Sequence, residues 1–426
     1  MLDREEVAAY EVFTSDVDAP ASIFVSTLAT AGTFFGVAAL SVAIFGSCPT
    51  IYSQTDTTMY LESELFSNSI APLFEKRDVS AIMAKPDPNG SLKLEVRNEA
   101  LETHYINHLE LLQVVHDRDA RVVPAGNGNV LTISNLIDPV SAIDINGEDH
   151  RTVLLDDDSL AYSSDITGDV GSEVQWDQIE LVFSPEDSDA GALYLNLRNS
   201  LFTTVLLYDY LLASQGVESL NWVGKELQTV SGAVALGDFN HSFMGLQIEQ
   251  RVDGIYHQVG RIENTGPIAW RELAVPISMT TGDSVHIRLK FLADVWRIDE
   301  IKLATQVELP EVNYLKPAAI LDSKGAGLPG KTDLLASADD KYLVTYPGER
   351  FYVLFDVDER NDKKASYLLA GQGYYIEWIR EEWIEKHEMG EPVVFTSELV
   401  MEAQQRWRET KDEFEQKFFD SKVAIQ

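Results

Sequence analysis

Hydrophobic and polar positions alternate along most of the chain. In SLKLEVRN (91–98), Leu92, Leu94 and Val96 fall on one side and Lys93, Glu95 and Arg97 on the other. A period of two predicts a half-buried strand, and the preceding turn cluster PDPNG (86–90) marks its start. HLELLQVVH (108–116) reads as a second strand, and VVPAGNGNVLTIS (122–134) as a turn and a third. From Trp176 onward, WDQIELVFSPE, AGALYLNLRNS, GLQIEQRV, GIYHQVGRI, IAWRELAVPI, DSVHIRLKF and VWRIDEIKLA continue the series, with SMTTGD (278–283) separating two of them. DKYLVTYPGERFYVLFDV and KASYLLAGQGYYIEWI form a last β stretch. Turn signals every 8 to 12 residues or so predict antiparallel β-sandwich domains of jelly-roll-like character, so the fold class is mainly β.

Two segments follow a helical period instead. LFTTVLLYDYLLASQG (201–216) spaces Leu201, Val205, Leu206, Tyr208, Leu211 and Leu212 as one helix face, with Gly216 as its stop. In SELVMEAQQRWRETKDEFEQKFFD (397–420), Val400, Trp407, Phe414 and Phe418 line one face of a charged helix that should dock on the body or on a partner. A third segment has neither pattern. Residues 21–47 are 27 positions without a charge, long enough to span a bilayer as one N-terminal transmembrane helix. Gly32 and Gly36 within it form a GxxxG pair that lets helices approach closely. Residues 1–20 carry one Arg against six acids, which does not suit a cleaved signal peptide. The alternative to spanning is a buried hydrophobic helix in an oligomer core.

These patterns divide the chain into an acidic N-terminal segment (1–20), a transmembrane helix (21–47), an N-terminal β domain (48–165), a β-sandwich with an inserted helix at 201–216 (166–305), a C-terminal β region (306–385) and a helical tail (386–426).

Composition adds constraints. With 45% hydrophobic residues in 426, a sizeable core can form. The 33 Lys and Arg stand against 69 Asp and Glu, a net charge of −36. Such a surface repels phosphate backbones, so no nucleic acid partner is expected. The single cysteine, Cys48, excludes an internal disulfide and any cysteine-based zinc cluster; it reads as a residue at the start of the first strand, or as an acylated lipoprotein cysteine.

GAGLPGKT (325–332) matches G-x-x-x-x-G-K-[ST], with Lys331 and Thr332 in the phosphate-binding positions. A working phosphate loop needs a buried strand before it, a helix after it and an alternating βα domain around it. The 94 residues that follow Thr332 read as antiparallel strands and a charged helix. No nucleotide is expected at 325–332; the segment reads as a Gly-Pro loop. His104 and His108 have an H-x₃-H spacing, but they sit where a loop enters a strand and lack an HExxH glutamate. Asp156, Asp157 and Asp158, and Asp356, Asp358 and Asp362, read as solvated loop acids, because EF-hand spacing is absent. No catalytic, metal or cofactor-binding set stands out. Trp270 and Trp296 lie on predicted strands. Exposed, they can stack on a sugar or peptide; buried, they anchor the core.

SCPTIYSQTDTTMYLESELFSNSIAP followed by LKLEVRNEALETHYINHLELLQVVHD resembles an uncharacterised bacterial envelope family. Its members carry a hydrophobic segment ending in an SCPFVYS-x-D-G-like stretch and then an N-E-x-x-E-T-x-Y-x-D turn between strands. The matching positions are Ser47, Cys48, Pro49, Tyr52 and Ser53, then Asn98, Glu99, Glu102, Thr103 and Tyr105. Thr50 stands for the usual Phe and Asn107 for the usual Asp. LYLNLRNS, WRIDEIKLA and the approach to DKYLVTYPGE are similar as well, so the resemblance covers most of 47–378. It implies location and architecture, and that the GAGLPGKT loop is not a phosphate loop. It implies no chemistry.

Two functions are expected on these grounds. The first is a non-enzymatic, single-pass cell-envelope protein with its β body outside the cytoplasm. It would touch membrane lipid through 21–47 and act as a scaffold or accessory subunit for other envelope proteins or for itself, with Trp407, Phe414 and Phe418 as a partner-facing edge. The alternative is a carbohydrate- or peptide-binding β-sandwich module, with or without hydrolase activity, that uses Trp270 and Trp296.

Overall fold

A computed structural model describes residues 48–420, apart from 56–57, 127, 159, 165–172, 187–189, 264, 280–283, 358–363 and 380–394. The 21–47 segment, with Gly32 and Gly36, lies outside the described residues, as do Asp358 and Asp362. Among the described residues, no helix is long and apolar enough to cross a membrane.

The protein is mainly β, with four antiparallel sheets. Strands β1 to β5 are Thr50–Thr55, Thr58–Glu64, Lys76–Ile82, Ser91–Arg97 and Glu102–His116. Strands β6 to β11 are Arg121–Pro124, Val130–Ile137, Ser141–Asp144, Tyr162–Ser163, Trp176–Phe183 and Ala190–Asn199. Strands β12 to β16 are Leu246–Val252, Ile255–Ile262, Arg271–Ser278, Val285–Leu292 and Trp296–Glu308. Strands β17 to β21 are Val312–Leu315, Ala319–Leu321, Leu343–Thr345, Arg350–Asp356 and Lys364–Glu377.

Pairing is nested. One sheet runs β18-β20-β4-β1-β2 and a second runs β17-β5-β21-β3, with β19 also on β5. Both are built from 50–116 and 312–377. They face each other through Ile51, Leu92, Leu94, Leu109, Leu111, Phe351, Val353 and Leu369. The other two sheets, β13-β12-β15-β10-β8 and β14-β11-β16-β7-β6, come from 121–308. They close on a larger core that includes Leu181, Leu195, Ile248, Val275, Leu289 and Trp296. In this inner sandwich, β8 pairs with β10 across the 165/166 position. Its second sheet curls until Ala125, just past β6, bridges Ala274 of β14.

Local pattern explains these elements. β10 alternates intermediate and buried positions along its whole length, as its period of two requires. β5 is longer than the segment 108–116 suggests and is almost continuously buried, because both its faces are covered.

The inserted helical region departs from the single helix expected at 201–216. Helical backbone runs over 202–215 and resumes over 217–226, with two wide-turn π segments, Leu206–Leu212 and Trp222–Glu226. Gly216, with φ 53° and ψ −128°, is non-helical and ends the first helix as expected, and a second helix follows it directly. Helix α1 (Val230–Phe243) follows, capped by the Thr229 side chain, which accepts from Gly232 N–H. A short helix α2 (Pro329–Leu335) and the tail helix α3 (Ser397–Asp420) complete the set.

The tail helix docks on its own chain. Trp407 is fully buried, packs on Phe202 with ring centroids 5.8 Å apart, and donates its indole N–H to Asp294 at 2.5 Å. Phe414 is buried in the same core. The expected partner-facing edge is therefore an internal face at Trp407 and Phe414, because the inner sandwich and the helical insert offer it an apolar seat and a buried carboxylate.

Candidate functional site

A cavity of about 60 Å³ lies where the end of β2, the helical insert and the loop before β14 meet. Cys48, Glu64, Ser67, Tyr208 and Tyr375 line it and are buried, together with Leu206, Leu211, Leu236, Phe239 and Met244. Asn68, Thr203, Leu207, Asn240 and Pro267 line it as half-buried residues.

Glu64 dominates its chemistry. The residue is the last of β2 and is fully buried. Its Oε2 accepts from the backbone N–H groups of Ile268 (2.6 Å) and Ala269 (2.8 Å). Its Oε1 is buried and has no hydrogen-bond partner among the described residues. An unmet acceptor of this kind costs free energy on the order of 1–3 kcal/mol, more if charged. Burial pushes the carboxyl up from 4.5 to about 7, against the Ala269 and Ile268 N–H groups and the Arg271 and Arg198 charges that pull it down.

The loop that supplies those N–H groups is fixed in place. Asn199 Oδ1 accepts from Thr265 N–H at 2.7 Å and Gly266 N–H at 3.2 Å, and Gly266 O accepts from Asn199 N–H at 3.0 Å. Gly266 has φ 92°, and a Cβ there would lie 2.6 Å from Ser67 Oγ and 2.8 Å from Glu64 Oε2. Only glycine fits this approach. Arg271, two residues past the loop, spends its donors elsewhere. It gives Nη1 to Glu64 O at 3.0 Å, Nη2 to Asp78 Oδ1 at 2.5 Å and Nη2 to Val79 O at 3.2 Å.

Behind the cavity wall sits a buried acid pair. Glu102 and Glu377 are register partners on β5 and β21, and both are buried. The Tyr208 hydroxyl donates to Glu377 and lies 3.4 Å from Glu102 Oε1, while His104 Nε2 meets Glu102 Oε2 at 3.1 Å. Burial also raises the Cys48 thiol and the Tyr375 hydroxyl, and the nearby acids add to both shifts.

The residues singled out in the sequence fall mostly elsewhere. Trp296 is a core residue, fully buried. Trp270 is half-buried with the Arg198 guanidinium 5.0 Å from its ring centroid, so the two tryptophans do not form an open platform. His104 belongs to the acid network, and His108 is half-buried on the same strand with burial lowering its pKa. Asp157 accepts from Asn196 Nδ2 at 3.1 Å. In GAGLPGKT, Asp322 Oδ1 accepts from the N–H groups of Lys324 and Ala326, and Thr332 Oγ1 accepts from Ile320 N–H. Residues 325–328 form a turn after β18, a three-residue strand paired antiparallel with β20, and Pro329–Thr332 open helix α2, on which Lys331 is exposed. Among the described residues, Asp144, Glu148 and His150 form one cluster of metal-ligand type. Asp144 already accepts from Asn146 and Glu148 N–H and meets His150 Nε2 at 3.2 Å.

No protein-family model and no curated protein matches the chain. Among solved structures the chain has matches of low similarity. A sugar-binding protein, the EclA C-terminal domain, is 9% identical with a TM-score of 0.17 over 39% of this chain and 81% of its own. An allantoicase is 11% identical with a TM-score of 0.22 over 65% and 98%. A cycloalternan-forming enzyme from Listeria monocytogenes, in complex with a pentasaccharide substrate, is 8% identical with a TM-score of 0.17 over 54% and 22%.

Proposed function

We propose that this is a ligand-binding β-sandwich protein and that the Glu64 cavity is its binding site. The observation that carries the reading is a cavity lined by the fully buried Glu64, whose Oε1 has no hydrogen-bond partner among the described residues and whose Oε2 is fixed by two N–H groups. Small-molecule sites are mostly apolar clefts with a few fixed polar groups, often where structural units meet. The cavity has that composition, with Leu206, Leu211 and Phe239 against one carboxylate and several hydroxyls. The role is binding rather than catalysis. The test is a thermal-shift screen of the full chain against short-chain alcohols, amides and amines small enough for a cavity of about 60 Å³, repeated with Glu64→Gln. A ligand that stabilises the wild type and not the variant supports the reading. Ligands that stabilise both equally assign binding to another surface.

The uncharged run 21–47 supports a second, compatible reading, in which the binding body is tethered at a cell envelope by a single span and serves as an accessory subunit there. Release of the full chain from native membranes by a salt wash, without detergent, would sink the tether.

A further inference from the structure

Two chain crossings join the outer sandwich to the inner one, and a groove lies between them. Residues 117–120 lead from β5 to β6, and residues 309–311 lead back from β16 to β17. With β7 they enclose an open space of about 830 Å³ that shares no residue with the Glu64 cavity. Ligand clefts run to roughly 300–1,000 Å³ and favour junctions of this kind. We propose that this groove takes a lysine- or arginine-rich segment of another protein.

The first support is charge. Asp117, Asp119, Glu308 and Glu311 line the groove and are exposed, and no Lys or Arg lines it. Four acids among thirteen lining residues is about twice the density of the whole chain, which has 69 in 426. Asp119, Glu308 and Glu311 have no ion pair or hydrogen bond among the described residues. By contrast, Glu95, Glu300 and Asp294 each hold an arginine. A cleft lined by one sign of charge focuses the field and concentrates ions of the other sign. The nearby bases leave that field open. Arg118 is exposed and Lys364 is the register partner of His116 on β21, but neither lines the groove. His116 is buried, with Nδ1 on Asp117 O and Nε2 on Ser366 Oγ, both at 2.8 Å.

The second support is an apolar ledge. Val115, at the end of β5, is 40% exposed, and Leu309, on the other crossing, is 77% exposed. Lysine and arginine lay a methylene stem on such surface while the charged head reaches outward. A bare metal ion would use the carboxylates and leave the ledge in water. Two side-chain amides extend the fit to a peptide backbone. Asn135 Nδ2 is engaged by Thr305 and Gln306 Oε1 by Ser134, which leaves Asn135 Oδ1 and Gln306 Nε2 for an incoming chain. A free polyamine has stem and charge but no backbone to offer them.

The test is fluorescence anisotropy of a labelled pentalysine amide with the full chain at about 50 mM salt, where screening is weak. Labelled pentaglutamate and competing spermidine are the comparisons. The triple variant Asp119→Asn, Glu308→Gln, Glu311→Gln should weaken pentalysine binding by on the order of 10-fold. A second triple, Asp333→Asn, Asp340→Asn, Glu409→Gln, removes the same charge at exposed positions on α2, in the loop after it and on α3, and should change affinity by less than about 2-fold. Leu309→Ser keeps every charge and should weaken binding by roughly 3-fold, whereas unchanged affinity would overturn the ledge. Equal losses in the two triples would assign the affinity to the overall charge of −36 and overturn the groove. Spermidine binding as tightly as pentalysine, or pentaglutamate binding at all comparably, would overturn the basic-peptide assignment. Absence of pentalysine binding to the wild type would overturn the whole proposal.

Discussion

Glu64 and Asp78 make an instructive pair. Both lie beside Arg271 in the region where the outer sandwich meets the inner one. Asp78 is half-buried and takes both guanidinium nitrogens, at 2.5 and 3.2 Å. Burial alone would raise its carboxyl, but Arg271, with help from Lys76, carries it below its ordinary value. Glu64 is fully buried and receives only backbone N–H groups on one oxygen, so burial wins and its carboxyl rises to about 7. Proximity to the same arginine is therefore not what separates them. The bidentate contact is, because a paired charge recovers its solvation cost and an unpaired one does not. Asp78 builds the joint, and Glu64 leaves an acceptor open beside it.

The largest expected effect comes from removing the arginine. Arg271→Ala deletes the bidentate pair and strands a carboxylate at the joint, and should cost about 3–5 kcal/mol in chemical denaturation. A loss under about 1 kcal/mol would mean the clamp is incidental.

Titrating Glu64 sharpens the contrast. Its folded pKa of about 7 lies above the ordinary 4.5, so the folded state holds the proton more tightly and stability falls as pH rises from 4.5 through 7. Glu64→Gln removes that slope. The stability curves of wild type and variant should converge near pH 4.5 and separate by about 3 kcal/mol above pH 7, with the variant more stable. Asp78→Asn should show the opposite sense. Its folded pKa is depressed, so the wild-type advantage is present above 3.8 and is lost as pH falls through the lower folded value. Parallel curves for wild type and Glu64→Gln would refute the account of Glu64.

A smaller effect is expected at the loop. Gly266→Ala places a Cβ against Ser67 and Glu64 at φ 92° and should cost about 1–3 kcal/mol. Unchanged stability would show that the loop can move away from Glu64. Lys331→Ala lies outside both regions, at an exposed position of helix α2, and should change stability by less than about 0.5 kcal/mol.

The strands were the most legible part of the chain. SLKLEVR and WDQIELVF announce themselves by alternation, because one face of each is buried. The tail helix was equally clear in the spacing of Val400, Trp407 and Phe414, but periodicity names a buried face and not what buries it. Partners were not legible. Nothing local in β5 says that β17, β19 and β21 will pair with it, since register is set by contacts distant in sequence. Helix α1 was hidden because SGAVALGDFNHSF carries two glycines and little amphipathic contrast. The site was hidden for a related reason. In YLESELF, Glu62 and Glu64 look like the solvated side of a strand, yet both are buried, Glu64 under a loop some 200 residues further on. One faint signal existed. Gly266, in NTGP, could be read as a turn residue, but its close approach to Glu64 appears only when the two segments meet.

The nested pairing sets an order on synthesis. Every strand that pairs with β5 lies in 312–377, on the far side of the whole inner sandwich. A ribosome adding roughly 5–20 residues per second finishes the inner sandwich first and releases β5's partners only after a delay on the order of ten seconds or more. Through that interval a fifteen-residue strand waits with both edges open, a template for a neighbouring nascent chain.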